Sequence, residues 1–597
     1  MPFRRILFLI VGVLLVFSAG SLFAQQNTEG AFIPIGAGYS DTYEGLMQRI
    51  IDASADDLIS VLVMAPTYST NAAGMSEAEI AENVELAESR RVEVQDVCLS
   101  LAGDKTCNIT LALLLSRDEA LAPEALDYFA DYLDAVFILG GDQTVGMQIL
   151  ADTPVETALA EAQAAGTIIA GTSAGNAVQS RTMIGGYIGD FGPETGLNRG
   201  AVDLWNSADR RGLSFGLTNV VLDQHFYQRA RIGRLLNVIT QPDVPHVGVG
   251  VDAYTAAVIS NREIVGDVFG LYSVMVLDAE TLHAYENAQY VGDILSVHNV
   301  LMHTLAPGDS TYNLNTRTPS LAAPLTSVSR SFEGLTIPEG AGTLLLAGNL
   351  AGDTENSPVL ARFAELSGGS EGHVLIIAVG YSSERRAERA AENYAEALPG
   401  TSEVLILGPD SAAPTGDYSG IIIIGPDKTQ IDPAALAVVL GERWQTGTPV
   451  LADHAAAGVL GAYYANHGPT PEDSNDDPYA EEHAVQGSFI SGATEVVEGL
   501  GWVNAAVESS VLVDKRLGRL ISVVYAHPDL LGLALTEGTA LEITANGATV
   551  VGINGIFVFD LRSATLALGD NNGYLIANGL VDVFAPGETL AALDVAQ

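Results

Sequence analysis

A short serine motif between glycines constrains the fold of this chain more than any other feature. The segment Gly171-Thr-Ser-Ala-Gly175 follows an apolar run and matches the pattern Gly-x-Ser-x-Gly. In that pattern the serine lies at a sharp turn between a strand and a helix, where only small flanking residues fit. The motif therefore predicts an α/β sheet with Ser173 at a strand end, either as a nucleophile or as part of a plain packing turn.

A histidine and three arginines form a second motif. The segment Asp223-Gln-His-Phe226 also follows an apolar stretch, which places His225 at the carboxyl end of a predicted strand, where open α/β sheets form their sites. A histidine there can accept the proton of a serine hydroxyl. Arg229, Arg231 and Arg234 follow within one helical stretch, and guanidinium groups suit substrates with carboxylates or carbonyls. The structural alternatives are a strand-end histidine bonded to a carbonyl and a solvated basic helix start.

A third turn lies upstream of both motifs. The apolar run 135–139 predicts a buried strand, and it leads into Gly140-Gly-Asp-Gln-Thr144. Paired glycines permit close approach of the backbone to a ligand, and Gln143 is expected at the same edge of the sheet. The candidate donors to an oxyanion are the N–H groups of Gly140, Gly141 and Ala174.

In this order and at these separations, the three motifs resemble those of the cyanophycinase family of serine peptidases, over most of residues 30–320. The resemblance implies an α/β sandwich of the class I glutamine-amidotransferase-like (flavodoxin-like) type, with a mostly parallel central sheet. It also implies a secreted exopeptidase that releases β-Asp-Arg dipeptides from cyanophycin, a polymer with an aspartate backbone and arginine side chains. A peptidase for small aspartyl or isoaspartyl dipeptides is an alternative that differs in cleft size.

The resemblance assigns roles to individual residues. Ser173 is the implied nucleophile and His225 the implied general base. The implied substrate-binding residues are Gln143, Asp223, Arg229, Arg231 and Arg234. A β-aspartyl-arginine unit presents a carboxylate and a guanidinium, so it requires a site with both signs of charge.

One position departs from the family pattern. The family has Gly-Ile-Gly-Ile-Asp-Glu where this chain has Gly248-Val-Gly-Val-Asp-Ala253, so alanine replaces the glutamate that completes the triad. Loss of such an acid can cost about 10⁴-fold, because the imidazole loses its fixed tautomer and the stabilisation of its charge. Asp252 is the first candidate to replace it and Asp190 the second. The alternative is an exported pseudo-enzyme that binds acidic peptides without cleaving them.

The second half of the chain resembles the first. Two of its segments align with the strand-and-turn segments around Gln143 and Ser173. His454 then stands at the nucleophile position and Ser510 near the base position, which predicts a divergent, non-catalytic domain. Glu537 aligns with Ala253, the alanine that stands where the family has glutamate. A composite site that uses Glu537 is the alternative.

Length and composition fit two tandem α/β domains. A chain of 597 residues exceeds the range of a single core, and 48% apolar with 17% charged residues is typical of well-packed globular proteins. We predict a signal peptide over 1–24, a catalytic domain over 27–320, a linker over 321–340 and the divergent domain over 341–597.

The N-terminus predicts export. The apolar run 6–17 and the small residues up to Ala24 fit a secretory signal peptide, so the mature chain is expected to be secreted or periplasmic. Retention as an uncleaved membrane anchor is the alternative, since Leu22 suits the cleavage site poorly. In an oxidising compartment Cys98 and Cys107, the two cysteines of the chain, are predicted to form a disulfide.

The charge balance excludes one class of partner. A formal net charge of −46 at pH 7 repels nucleic acids and anionic membranes, whereas it attracts an arginine-bearing polymer. We expect no cofactor and no metal, because no group of histidine, cysteine or carboxylate residues has convincing ligand spacing. The sequence leaves the oligomeric state open, with a homodimer as one form.

Overall fold

The computed structural model describes residues 29–68, 76–408, 411–469 and 479–595. The predicted signal peptide over 1–24 lies outside these residues. Within the described ranges, no helix is long and apolar enough to cross a membrane.

The structure is built mainly from strands, numbered here in chain order. The first half contains β1 Phe32–Ile35, β2 Leu58–Met64, β3 Thr106–Ala112, β4 Ala135–Ile138, β5 Ile168–Thr172, β6 Met183–Tyr187, β7 Val202–Trp205, β8 Val221–Asp223, β9 Val247–Val251, β10 Thr255–Ser260, β11 Ile264–Gly270, β12 Val274–Asp278, β13 Gln289–Val291, β14 Ile294–Leu305, β15 Tyr312–Asn313, β16 Thr318–Pro319 and β17 Val328–Arg330. The second half contains β18 Leu344–Ala347, β19 His373–Ala378, β20 Thr401–Ile406, β21 Gly420–Gly425, β22 Val450–His454, β23 Gly461–His467, β24 Glu495–Glu498, β25 Val503–Ser509, β26 Leu531–Leu535, β27 Thr539–Thr544, β28 Gly547–Gly552, β29 Ile556–Asp560, β30 Thr565–Leu568, β31 Tyr574–Phe584, β32 Thr589–Leu590 and β33 Leu593–Val595.

Helices cover the sheets. The α-helices are α1 Ser40–Ala53, α2 Glu77–Leu101, α3 Arg117–Leu121, α4 Gln143–Leu150, α5 Pro154–Ala164, α6 Ala174–Ala177, α7 Ile232–Ile239, α8 Pro358–Leu366, α9 Glu384–Glu396, α10 Pro433–Leu440, α11 Ala455–Leu460, α12 Ala480–Gly487 and α13 Leu517–Ala526. Short 3₁₀ helices occupy Pro123–Phe129, Pro193–Thr195, Ala284–Asn287, Gly369–Glu371 and Lys428–Gln430.

Each half has a central sheet in which five neighbouring strands, extending to one edge of the sheet, are parallel. The order in the first half is β16-β15-β11-β10-β1-β5-β4-β2-β3, with β1, β5, β4, β2 and β3 parallel. The order in the second half is β20-β19-β21-β22-β18-β27-β28-β32, with β20, β19, β21, β22 and β18 parallel. Central strands such as β4 and β21 are buried along their whole length, as expected for parallel strands covered on both faces.

A twelve-stranded sheet joins the halves. Ten of its strands follow the path β24-β23-β25-β26-β29-β31-β14-β12-β9-β8, while β13 pairs with β14 and β30 pairs with β31. In this path β31 of the second half pairs with β14 of the first. One face of this sheet shares buried apolar clusters with both central sheets, as Val276 does with Ile138 and Leu533 with Ile423. The other face carries α7 and α13. The halves are therefore joined by sheet hydrogen bonds as well as by the segment 321–340, in which β17 pairs with β33.

The α/β fold class is confirmed, and the sheets are mixed. Outside the five parallel strands of each half, hairpins such as β10–β11 and β27–β28 add antiparallel strands. When β1 is matched with β18, the order β3-β2-β4-β5-β1-β10-β11 corresponds strand by strand to β20-β19-β21-β22-β18-β27-β28. A disulfide between Cys98 of α2 and Cys107 of β3, whose Cα atoms lie 6.1 Å apart, ties a covering helix to the first sheet.

Candidate active site

Ser173 lies at the turn between β5 and α6. Its φ of 52° and ψ of −111° form a conformation that is unfavourable for a residue with a Cβ atom. A Cβ atom at Gly171 would lie 2.4 Å from the Gly175 carbonyl oxygen, and one at Gly175 would lie 2.2 Å from the Ile138 oxygen. Both glycines are therefore required by packing, and the turn holds the half-buried Ser173 at the carboxyl edge of the sheet.

His225 meets Ser173 at this edge. It follows β8 with a φ of 47°, and its backbone N–H donates to the Gly36 oxygen at 3.1 Å. Its Nε2 atom lies 2.8 Å from Ser173 Oγ. The structure thus brings the two residues that the motifs predict as nucleophile and base into direct hydrogen-bond contact.

Gln228 contacts the other ring nitrogen of His225. The amide oxygen of Gln228 hydrogen-bonds to His225 Nδ1. Because a carbonyl oxygen only accepts, Nδ1 carries the proton and the Nε2 lone pair faces the Ser173 hydroxyl. Gln228 is buried and was missed by the sequence analysis, although it stands three residues after the histidine of the second motif.

Asp252 does not take this place. Its Oδ1 atom accepts the backbone N–H groups of Tyr227 and Gln228 at 3.2 and 3.3 Å, and the Gln486 side-chain amide at 3.0 Å. The expectation that Asp252 orients the imidazole of His225 directly is corrected here, because this carboxylate holds the backbone of the turn instead. Burial raises the pKa of Asp252 to about 7.

The place of the missing glutamate is filled by packing. Ala253 is fully buried in an apolar cluster with Ala37, Tyr254 and Tyr272. Asp190, the second candidate acid, is exposed beyond β6. Glu537 accepts hydrogen bonds from Ser510 and Val513 within its own half, so the composite site with Glu537 is also corrected.

Most of the implied substrate-binding residues lie in a buried cluster beneath the turn. Asp223 is completely buried, and Arg234 Nε donates to its Oδ2 at 2.8 Å. Arg231 donates to the backbone and side-chain oxygens of Gln224, both at 2.7 Å, and burial lowers its pKa to about 9. The expectation that Asp223, Arg231 and Arg234 contact substrate is corrected, since their hydrogen bonds go to one another and to this turn.

The two remaining implied substrate-binding residues, Gln143 and Arg229, differ from each other in burial. The Gln143 amide donates to the oxygens of Ile184 and Gly185 at 3.1 and 2.9 Å, which fixes α4 against β6. The buried Gln143 therefore supports the wall of the site through its amide nitrogen, and its expected contact with substrate stays a prediction. Arg229 is exposed and lines a pocket beside His225.

The candidate oxyanion donors are not equivalent. The Gly140 N–H donates to the Tyr39 hydroxyl at 3.2 Å. Among the described residues, the N–H groups of Gly141 and Ala174 donate to no protein acceptor. A Cβ atom at Gly141 would lie 2.2 Å from the Thr67 oxygen, so only glycine fits there. Gly141 and Ala174 are the donors that remain available to an oxyanion.

The imidazole is poised to act as a base at neutral pH. Burial lowers the pKa of His225 well below its usual value, and the charges of Arg229 and Arg231 lower it further. His225 is therefore neutral at pH 7 and able to accept the Ser173 proton.

A pocket of about 330 Å³ borders His225 and carries both signs of charge. Its charged lining residues are Asp41, Arg90, Glu93, Arg229 and Glu482. Arg90 is paired with Glu93 at 2.8 Å. Glu482 belongs to the second half of the chain, a contribution that the sequence analysis missed.

Known proteins match the part of the chain that carries this site. The sequence model of peptidase family S51 matches residues 117–265. A cyanophycinase of Geminocystis herdmanii is 34% identical over 214 residues, which are 35% of this chain and 73% of that protein. A cyanophycinase of Trichormus variabilis is 39% identical over 177 residues, which are 29% of this chain and 55% of that protein. A crystal structure of a peptidase from an acI-B1 actinobacterium is 21% identical and covers 43% of this chain and 95% of its own, with a TM-score of 0.33.

Proposed function

Since the chain belongs to the cyanophycinase family, peptidase family S51, and is a serine-type peptidase, we propose that it hydrolyses cyanophycin to β-Asp-Arg dipeptides. The observation that carries the proposal is the 2.8 Å contact between Ser173 Oγ and His225 Nε2, beside a pocket with both signs of charge. A substrate with a carboxylate and a guanidinium is complementary to such a pocket.

The reaction begins with acyl transfer to Ser173. The Oγ atom attacks the carbonyl carbon near the chain end while His225 Nε2 accepts its proton. The developing oxyanion accepts the N–H groups of Gly141 and Ala174. The imidazolium then gives the proton to the leaving amine, and the carbon–nitrogen bond breaks to leave an ester on Ser173.

Hydrolysis of this ester uses the same base. His225 takes a proton from water, and the oxygen of that water attacks the acyl carbon. The tetrahedral intermediate collapses as the Ser173 Oγ leaves and recovers the proton from His225, which releases the carboxylate product.

Gln228 takes the position of the acid in this triad. Its amide oxygen fixes the Nδ1–H tautomer and the ring orientation, which are two of the functions that a carboxylate serves. A neutral amide does not stabilise the imidazolium by charge. We therefore propose a working triad of Ser173, His225 and Gln228, with slower turnover than a triad completed by a carboxylate.

The compartment in which the chain acts is a separate part of the proposal. We propose that the chain acts outside the cytoplasm, as the N-terminal segment predicts. The disulfide between Cys98 and Cys107 supports this, because such bonds persist in oxidising compartments.

The test is release of β-Asp-Arg from insoluble cyanophycin by the purified protein, with soluble aspartyl and isoaspartyl dipeptides assayed in parallel. Ser173→Ala should abolish release without lowering the melting temperature. His454→Ala, at the corresponding turn of the second half, is the matched control and should leave release unchanged. Cleavage of dipeptides alone would favour the dipeptidase, and binding of the polymer without any release would favour the pseudo-enzyme.

A further inference from the structure

A segment of the second half forms one wall of the pocket beside His225. This segment, residues 479–489, contains α12 and ends at Phe489. Two of its side chains, Tyr479 and Glu482, line the pocket together with His225 and Arg229 of the first half. The pocket that borders the proposed base is thus shared between the two halves.

Several contacts fix the position of the 479–489 segment. The Gln486 amide donates to Asp252 at 3.0 Å, and His483 Nδ1 lies 2.7 Å from the Tyr272 hydroxyl. The ring of Phe489 stacks on that of Tyr227, with centroids 3.7 Å apart. These contacts join the segment to the turns around both His225 and the missing glutamate, so it is part of the site's framework.

Within this wall, Glu482 is held with its carboxylate in the pocket. The Tyr254 hydroxyl donates to Glu482 Oε2 at 2.9 Å, and the Tyr254 ring stacks on His483 at 4.4 Å. A hydroxyl partner orients the carboxylate and leaves its charge intact. Glu482 therefore presents a negative charge that the protein has positioned and not neutralised.

The cation across the pocket is not paired with Glu482. Among the described residues, Arg229 forms no ion pair within 4.0 Å, although it is close enough to the Glu482 carboxylate to be influenced by its charge. An unpaired cation and an unpaired anion in one pocket suit a ligand that carries the opposite charges at its two ends. A β-Asp-Arg end unit has this character, with a carboxylate at one end and a guanidinium at the other.

We propose that Glu482, contributed by the second half, is a specificity residue that binds the cationic side chain of the substrate while Arg229 binds its carboxylate. This inference rests on the proposed function for its substrate class. It gives the second half, which lacks the nucleophile, a direct part in substrate selection.

The test compares two soluble oligomers that differ only in charge. One is a β-Asp-Arg oligomer and the other contains citrulline, whose neutral urea group replaces the guanidinium with the same shape. Glu482→Gln keeps an oxygen for Tyr254 and removes the charge, and Glu481→Gln on the same helix, exposed and outside the pocket, is the matched control. We expect Glu482→Gln to raise KM for the arginine oligomer about 10-fold, with kcat and the citrulline KM unchanged.

Other outcomes would overturn the proposal. An unchanged KM for the arginine oligomer would remove Glu482 from recognition. Equal losses on both oligomers would show that Glu482 serves the structure of the pocket alone.

A binding experiment separates this proposal from the proposed function. Titration of the β-Asp-Arg dipeptide into Ser173→Ala protein, with and without Glu482→Gln, measures recognition without turnover. Absence of hydrolysis by the parent would defeat the proposed function, whereas equal dipeptide affinity with and without Glu482→Gln would defeat this inference.

Discussion

The two halves carry the same turn with different side chains. Ser173 has φ and ψ of 52° and −111°, and His454 has 56° and −124° at the corresponding strand end. His225 and Ser510 correspond in the same way, with φ of 47° and 54°. The strained backbone thus occurs both with and without a serine at the turn, which shows that the strain belongs to the fold and that the chemistry depends on the side chains.

The side chains at the two turns make different contacts. In the first half Ser173 Oγ faces His225 Nε2. In the second half His454 Nε2 lies 3.3 Å from Asp514, and the Ser510 hydroxyl donates to Glu537 at 3.0 Å. Among the described residues, the side-chain hydrogen bonds of His454 and Ser510 thus go to carboxylates and not to each other.

A buried ion-pair cluster lies beneath both turns. Asp223 pairs with Arg234 in the first half, and Glu508 pairs with Lys428 at 2.5 Å in the second. Both acids are completely buried. Because the cluster persists where the nucleophile is absent, its role is to support the turn, which agrees with the burial of Arg234.

We expect the largest effect from a change of Gln228, the third residue of the proposed triad in the first half. Gln228→Met removes the acceptor of the His225 Nδ1–H group at similar volume, and we expect kcat/KM to fall about 10²- to 10⁴-fold. Asp252→Asn keeps an oxygen for the turn's N–H groups and should cost much less. Steady-state kinetics on a soluble oligomer measures both. Equal losses in the two variants would contradict the assignment of Gln228.

The paired clusters provide the next comparison. Arg234→Met leaves Asp223 buried without its closest partner, and Glu508→Gln leaves Lys428 in the same state. Each change should lower the free energy of unfolding by about 3–5 kcal/mol, because an uncompensated charge is then buried. Urea unfolding at pH 7 measures this loss. A cluster whose variant unfolds like the parent would not be structural.

We expect the smallest effect on the pH dependence of kcat/KM, which reports the pKa of His225. A pKa of His225 below 6.5 places the acid limb of the kcat/KM profile below pH 6.5, since the protonated imidazole cannot accept the Ser173 proton. Arg229→Gln removes a nearby positive charge, which favours the imidazolium and should move this limb to higher pH. The pH dependence of kcat/KM for both proteins measures the shift. A limb that moves to lower pH would exclude Arg229 as a cause of the lowered pKa.

Local motifs predicted the strand ends, and through them the meeting of Ser173 with His225. The prediction that Asp252 takes the role of the missing glutamate was wrong for a physical reason. Neighbouring residues at a strand end point in opposite directions, so Asp252 does not reach the side on which the residue at 253 would act. The hydrogen-bond acceptor for His225 Nδ1 is Gln228, which follows His225 in a turn. His225 has a positive φ in that turn, and no pattern in this sequence predicts this conformation.

Long-range contacts were beyond prediction from the chain alone. Glu482 reaches Tyr254 across 228 positions of sequence. That contact depends on how the two halves lie together, which the pairing of β14 with β31 determines. The motifs therefore predicted the proposed catalytic pair but not the pocket wall over 479–489, for which we propose a role in substrate selection.

The pairing of β14 with β31 also determines how a substrate can enter. Many two-lobed enzymes capture their substrates by a hinge motion that closes the cleft and excludes water. Here a hinge between the lobes would have to break the ladder in which Val297 faces Val583 and Leu301 faces Leu580. This ladder opposes closure of one lobe upon the other, so the proposed polymer substrate would have to enter a cleft that is already formed.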